Sequence, residues 1–163
     1  MNFLYLDHPS GLAVDERGDV LVADTAKDRV IKVASGAGAV GDVGFTGLQT
    51  PTDVAVDAAG NVFVVDSNGD RVVKLPAGGG PQVVWTTGLN APLGIAVDSA
   101  GDVFVADTNN SRIVRIPAAG GTPTVVPFTG LQSPTGLTVD GAGNVYVADE
   151  GNNRVVKRIA ANG

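Results

Sequence analysis

Four carboxylate–guanidinium pairs recur along the chain at one spacing. Asp24 stands five residues before Arg29, Asp66 before Arg71, Asp107 before Arg112 and Asp149 before Arg154. A set of carboxylates can hold a cation or move protons. The same carboxylates can also accept backbone N–H bonds at a turn and pair with the arginine that follows, or with its counterpart in the next copy, bidentately. A second acidic set, Asp15, Asp57, Asp98 and Asp140, is followed three residues later by Gly18, Gly60, Gly101 and Gly143. Glycine there supplies the positive φ of a tight turn. Every copy carries both sets, whereas a site for one ligand breaks the symmetry of a repeat. Both sets are therefore read as structural. Other reactive groups are scarce: one histidine (His8), two glutamates in turns (Glu16 and Glu150) and no cysteine. A zinc site needs several His or Cys ligands, and disulfide and thiolate chemistry are excluded. The residues call for no metal and no cofactor.

The elements that must position these residues also repeat. The second acidic set is spaced 42, 41 and 42 residues apart. Pro9, Pro51, Pro92 and Pro134 precede each unit in step, and Lys32, Lys74, Arg115 and Lys157 follow each arginine by three. Within a unit the chain reads as short strands. "GLAVD" is apolar, "VLVAD" is rich in β-branched residues, "RVIKV" alternates charge and apolarity, and "PTVVPFTG" or "PQVVWTT" follows a Gly-rich loop. Apolar runs of about five bounded by Gly, Asp and Asn are strand signals, and no segment is long enough for a helix. Four short strands in roughly 40 residues describe a propeller blade. The expected fold is an all-β propeller of four blades in a single unit, 1–163. Its repeats run from about 9–50, 51–91, 92–133 and 134–163. The charged third strand is expected towards the outside.

Composition narrows the partners. Apolar residues make up 44% of the 163 and charged residues 17%, so the chain is globular. A net charge of −6 disfavours nucleic acid and anionic membrane surfaces as partners. No apolar run approaches the ~20 residues of a spanning helix. The start, "MNFLYLDHPSG", lacks the charged and apolar regions of a signal peptide.

The pattern "VD-x-x-G-[ND]-V-x-V-x-D-x-x-x-x-R-[VI]-[VI]-[KR]" resembles the NHL repeat. The stretch "VVPFTGLQSPTGLTVDGAGNVYVADEGNNRVVK" at 125–157 is the most typical. The chain is similar to the extracellular sensor propeller of mycobacterial membrane Ser/Thr kinases and to designer propellers derived from it. That resemblance implies six-bladed rings that bind or anchor rather than catalyse, and an extracellular setting if the parent protein is such a kinase. Propeller lyases rely on histidines near the axis, and gluconolactonase-like propellers on a Glu/Asn/Asp metal set; neither pattern is found here. The leading expectation is a non-catalytic scaffold or sensor-type interaction module. The alternative is a metal-dependent hydrolase or lyase at the central channel, gathering carboxylates from several chains.

Only four repeats are present. Pro9 matches Pro51, Leu6 matches Leu48 and Phe3 matches Phe45, so the chain begins at the tail of an outer strand. "RVVKRIAANG" completes a third strand and leaves the last blade without its own fourth. Exposed edges and faces invite pairing, so the chain is expected to bind itself as a homo-oligomer. The arrangements are an eight-bladed dimer or a trimer forming two six-bladed rings, against a closed four-bladed monomer. Positions that break the repeat mark any ligand site, whether for a protein, a peptide or a small molecule. Before the first strand the units read "SG", "TD", "LG" and "TG". Asp53, Leu93 and Thr135 are thereby placed at a channel mouth, with sequence drift as the plainer account. Trp85 stands where other units carry Gly44 and Pro127; it is read as covering a blade edge, or as an anchor for a partner.

Overall fold

The computed structural model describes residues 6–36 and 38–160, which leaves the landmark Phe3 outside. Four antiparallel sheets follow one another in chain order. Blade 1 contains β1 (Pro9–Val14), β2 (Val20–Asp24), β3 (Arg29–Val33) and β4 (Val40–Asp42). Blade 2 contains β5 (Pro51–Val56), β6 (Val62–Asp66), β7 (Arg71–Leu75) and β8 (Val83–Thr86). Blade 3 contains β9 (Ile95–Val97), β10 (Val103–Asp107), β11 (Arg112–Ile116) and β12 (Thr124–Val126). Blade 4 has three strands, β13 (Pro134–Val139), β14 (Val145–Asp149) and β15 (Arg154–Arg158). The chain is an all-β propeller of four blades, the last with three strands.

The middle strands are buried on both faces, as their unbroken apolar runs require. Leu21, Phe63, Val64, Val65, Val103 and Val105 all lose nearly all contact with solvent. The core is therefore not one layer but a series of junctions between blades. Leu21 and Val30 of blade 1 meet Val54, Val62, Val64 and Val73 of blade 2. Phe63, Val65 and Val72 of blade 2 meet Ile95, Val103, Val105, Val114 and Ile116 of blade 3. Phe104, Ala106 and Ile113 of blade 3 meet Val145 and Val147 of blade 4. The third strand is not the outer one in blades 1 to 3. β3, β7 and β11 lie between the second and fourth strands, and Val30, Val72 and Ile113 are fully buried. Their charge survives because Arg29, Lys32, Arg71, Arg112 and Arg115 reach ion-pair partners at the blade rims and Lys74 lies over the Phe63 and Trp85 rings.

Each blade is entered through a residue in the left-handed region just before its proline. His8, Thr50, Ala91 and Ser133 have φ of 50°, 63°, 43° and 46°. The proline disfavours a helical conformation at the preceding position. Backbone N–H bonds to carboxylates of the preceding blade hold two of these residues in place, Thr50 to Asp28 and Ala91 to Asp70, both at 2.8 Å.

Candidate functional site

The Asp/Arg pairs form a stitch, and the stitch reaches farther than a turn. The buried Asp66 accepts a hydrogen bond from Arg71 Nε on Oδ2 at 2.7 Å and from the backbone N–H of Gln49 on Oδ1 at 2.5 Å. Asp24, Asp107 and Asp149 repeat this with Arg29, Arg112 and Arg154, and with the N–H groups of Asp7, Asn90 and Gln132. The N–H donor thus lies in the segment leading into the blade, not in the following turn as expected. The turn contributes side-chain amides instead, Asn110 to Asp107 and Asn152 to Asp149. The arginines reach their own blade's carboxylate through Nε. In blades 2 to 4 their Nη2 donates to carbonyls of the entering segment, those of Gly47, Gly88 and Gly130. At Asp149, burial opposes ionisation, but the bonds from Gln132, Asn152 and Arg154 win and hold the carboxyl below its usual range.

The second acidic set closes the turns. Asp15 Oδ1 accepts the N–H groups of Arg17 and Asp19, both at 2.9 Å, and Asp140 takes those of Ala142 and Asn144. Lys32 bridges Asp15 and Asp19 at 2.7 Å each. It is the main cause that lowers the Asp19 pKa to about 2. Asn144 does the same for Asp140, also to about 2. His8 is exposed and pairs with the neighbouring Asp7. Among the described residues, no three acidic or histidine side chains converge as ligands for a metal ion.

The positions compared across the repeats do come together, including the two that break the pattern, Asp53 and Leu93. Ser10, Asp53, Leu93 and Thr135, one from each blade, line a cavity of about 400 Å³ at the starts of the inner strands. Asp53 is half-buried there, and its burial pushes its pKa up to about 6. Its two oxygens accept the N–H groups of Val54 and of Ile95 on blade 3, both at 2.9 Å. At Gly11 a Cβ would lie 2.1 Å from the Asp53 carboxylate, so only glycine fits beside it. Asp53 therefore joins three inner strands at the axis, and also faces the cavity.

Trp85 sits on the edge strand of blade 2, but its ring does not cover that edge. It bulges from β8, where Val72 pairs with Thr86 and Val73 with Val84. Its indole lies at the junction of blades 2 and 3. Phe63 meets it edge-on at 5.9 Å between ring centroids, Lys74 Nζ sits 4.1 Å above it, and Gly120 of blade 3 backs it. Sequence reasoning noticed the outlier but missed the bulge, which alone turns the ring inward.

The repeats and blades account for what the comparisons with known proteins find. The NHL repeat matches residues 6–32, 89–116 and 131–157, half of the chain. The chain belongs to the NHL-repeat family. The unmatched blade 2 carries the same landmarks, Asp57, Asp66 and Arg71, and folds the same way. Among solved structures, a nidogen/laminin complex matches with a TM-score of 0.85 and 25% identity, covering 93% of this chain and 60% of that one. A catalytically inactive virginiamycin B lyase from Staphylococcus aureus, with quinupristin, matches with a TM-score of 0.78 and 14% identity over 93% of this chain and 52% of that one. A streptogramin B lyase has a TM-score of 0.73 at 14% identity, over 95% and 55%. The lyase likenesses are of fold alone. This chain spans roughly half to three-fifths of these solved chains. Comparison with curated protein sequences gives no match.

Proposed function

We propose that this chain is a non-catalytic interaction module of the sensor type, a rigid NHL scaffold that completes its rings by binding copies of itself. The observation that carries this reading is the state of the two end faces. In blade 2 the face formed by Ala55, Phe63, Val65 and Val72 is sealed by blade 3. In blade 4 the equivalent face, Thr138, Tyr146, Ala148 and Val155, meets no further blade, and Val155 is 72% exposed. At the other end, Leu12 and Val14 of blade 1 are 64% and 66% exposed. Their counterparts Ile95 and Val97 pack against blade 2. The chain thus presents both halves of a junction it forms three times internally. A second copy supplies the missing half on each side, and closed assemblies are favoured over open ones.

Catalysis plays no part in this reading, because the carboxylates that recur are engaged in holding strands and entering segments. The resemblance to kinase sensor propellers supports display of the loops at the blade ends to a further partner, whether protein, peptide or small ligand.

The test is the mass of the 163-residue chain by light scattering after size exclusion, over a range of concentrations. A defined multiple of 16.4 kDa is expected. A single-chain mass at every concentration would overturn the self-assembly reading.

A further inference from the structure

Trp85 makes the three junctions unequal. At the junction of blades 2 and 3 its indole fills the space beside Phe63, Lys74 and Gly120. The equivalent residues at the first junction are Leu21, Lys32 and Gly79, and all three line a cavity of about 270 Å³. At the third junction Phe104 and Arg115 stand in for Phe63 and Lys74, and they line a cavity of about 400 Å³. The outer strands there present valine, Val43 and Val126, in place of the indole.

The third cavity differs again in its charge. Arg158 lines it, on the β15 face turned towards blade 3. The equivalent positions in blades 1 and 3 are the buried Val33 and Ile116, and in blade 2 the half-buried Leu75. Arg115, the other cation of the cavity, is already paired with Asp102. Among the described residues Arg158 has no acidic partner. A guanidinium placed at an apolar position without a counter-charge costs desolvation unless an anion reaches it.

We propose that the cavity between blades 3 and 4 binds a small planar aromatic acid. The ring lies as the Trp85 indole does, against Phe104 and beneath the Arg115 guanidinium, and the carboxylate pairs with Arg158. The pocket is of ligand size, with an apolar floor of Val126 and Val145 and the guanidinium groups of Arg115 and Arg158; the Asp98 carboxylate also lines it, with Oδ1 already accepting the N–H groups of Ala100 and Asp102. This inference does not depend on assembly, since the whole cavity lies within one chain.

The test is a ¹H–¹⁵N shift titration of the full chain with two probes, indole-3-acetate and neutral indole. Saturable shifts are expected at Phe104, Val126, Val145 and Arg158, with the acid binding ~tenfold more tightly than indole, the worth of one charge-assisted bond. Arg158→Leu restores the aliphatic character of the other junctions. It should abolish the preference for the acid while leaving indole binding and thermal stability intact. Val126→Trp should fill the cavity and remove binding of both probes; if that variant does not fold, Arg158→Leu still decides. Shifts confined to the first junction, no saturation by either probe, or an unchanged preference in Arg158→Leu would each overturn the proposal.

Discussion

The face of blade 2 that meets blade 3 and the same face of blade 4 make the most instructive pair in the molecule. Both are cut from one template: Phe63 corresponds to Tyr146, Val65 to Ala148, Val72 to Val155 and Lys74 to Lys157. The blade 2 face is sealed, with Val65 and Val72 at 0% exposure. The blade 4 face is open and slightly more polar. The Tyr146 hydroxyl donates to Asp140 Oδ2 at 3.0 Å, and Lys157 lies over the Tyr146 ring at 5.1 Å. Burial here is set by the neighbour and not by the strand. A blade is a complete fold only together with the next blade.

A large effect is expected from the stitch that makes each sealed blade. Asp66→Ala leaves Arg71 and the Gln49 N–H without their acceptor. It should cost about 3–5 kcal/mol, as removing one partner of a buried ion pair does, measured by urea unfolding. An unchanged midpoint would show that the recurrent pairs are ornamental. Next comes the contrast between the two faces. Val72→Arg should prevent folding, by placing an unpaired charge in a sealed junction. Val155→Arg should leave the far-UV circular dichroism of the folded chain intact while blocking its assembly, because Val155 is 72% exposed within a single chain. Equal damage from both would erase the distinction between the faces.

The channel-mouth carboxylate offers a subtler contrast with the turn carboxylates. The folded Asp53 holds its proton up to about pH 6, against an ordinary value of 3.8. The folded state thus binds more protons in that window, and this group's contribution to stability declines as pH rises from about 4 to 6. Asp19 and Asp140, lowered to about 2, act in the opposite sense. Their contribution is present above about pH 4 and is lost as pH falls towards 2. Asp53→Asn should flatten the decline between pH 4 and 6 and leave the acid limb untouched. An unaltered profile would remove Asp53 from the account. The smallest effect is at the blade entrance. Ala91 sits at φ 43°, so Ala91→Gly should stabilise by ~0.5–1 kcal/mol, read as a rise in melting temperature; a fall would show that the strain is absent.

Much of this was legible in the sequence because it is written four times. Strands of five residues between fixed Gly and Asp positions, and the three-stranded last blade, follow directly from the period. The arginine partners of the ladder were legible, but its backbone donors were not. Asp66 accepts from Gln49, seventeen residues earlier, and no local spacing records that the entering segment returns to the rim of the sheet. The Trp85 bulge was hidden for a related reason: one extra residue in β8 turns a side chain from rim to junction, and composition is silent on register. Asp53 and Leu93 were singled out because they depart from the repeat, and Thr135 because it stands at the same place in blade 4. The structure brings them to one cavity, but with the Asp53 oxygens already bonded to Val54 and Ile95.

The central claim is that the two end faces are complementary halves of one junction. Leu12→Arg blocks the leading face and leaves the trailing one; Val155→Arg does the reverse. The most direct test is to measure the mass of each variant alone and of an equimolar mixture by sedimentation equilibrium. Each variant should be a single chain by itself, and the mixture should form a dimer of twice the chain mass, through the one pair of intact faces. A mixture that remains at the single-chain mass, or variants that each still assemble alone, would contradict it.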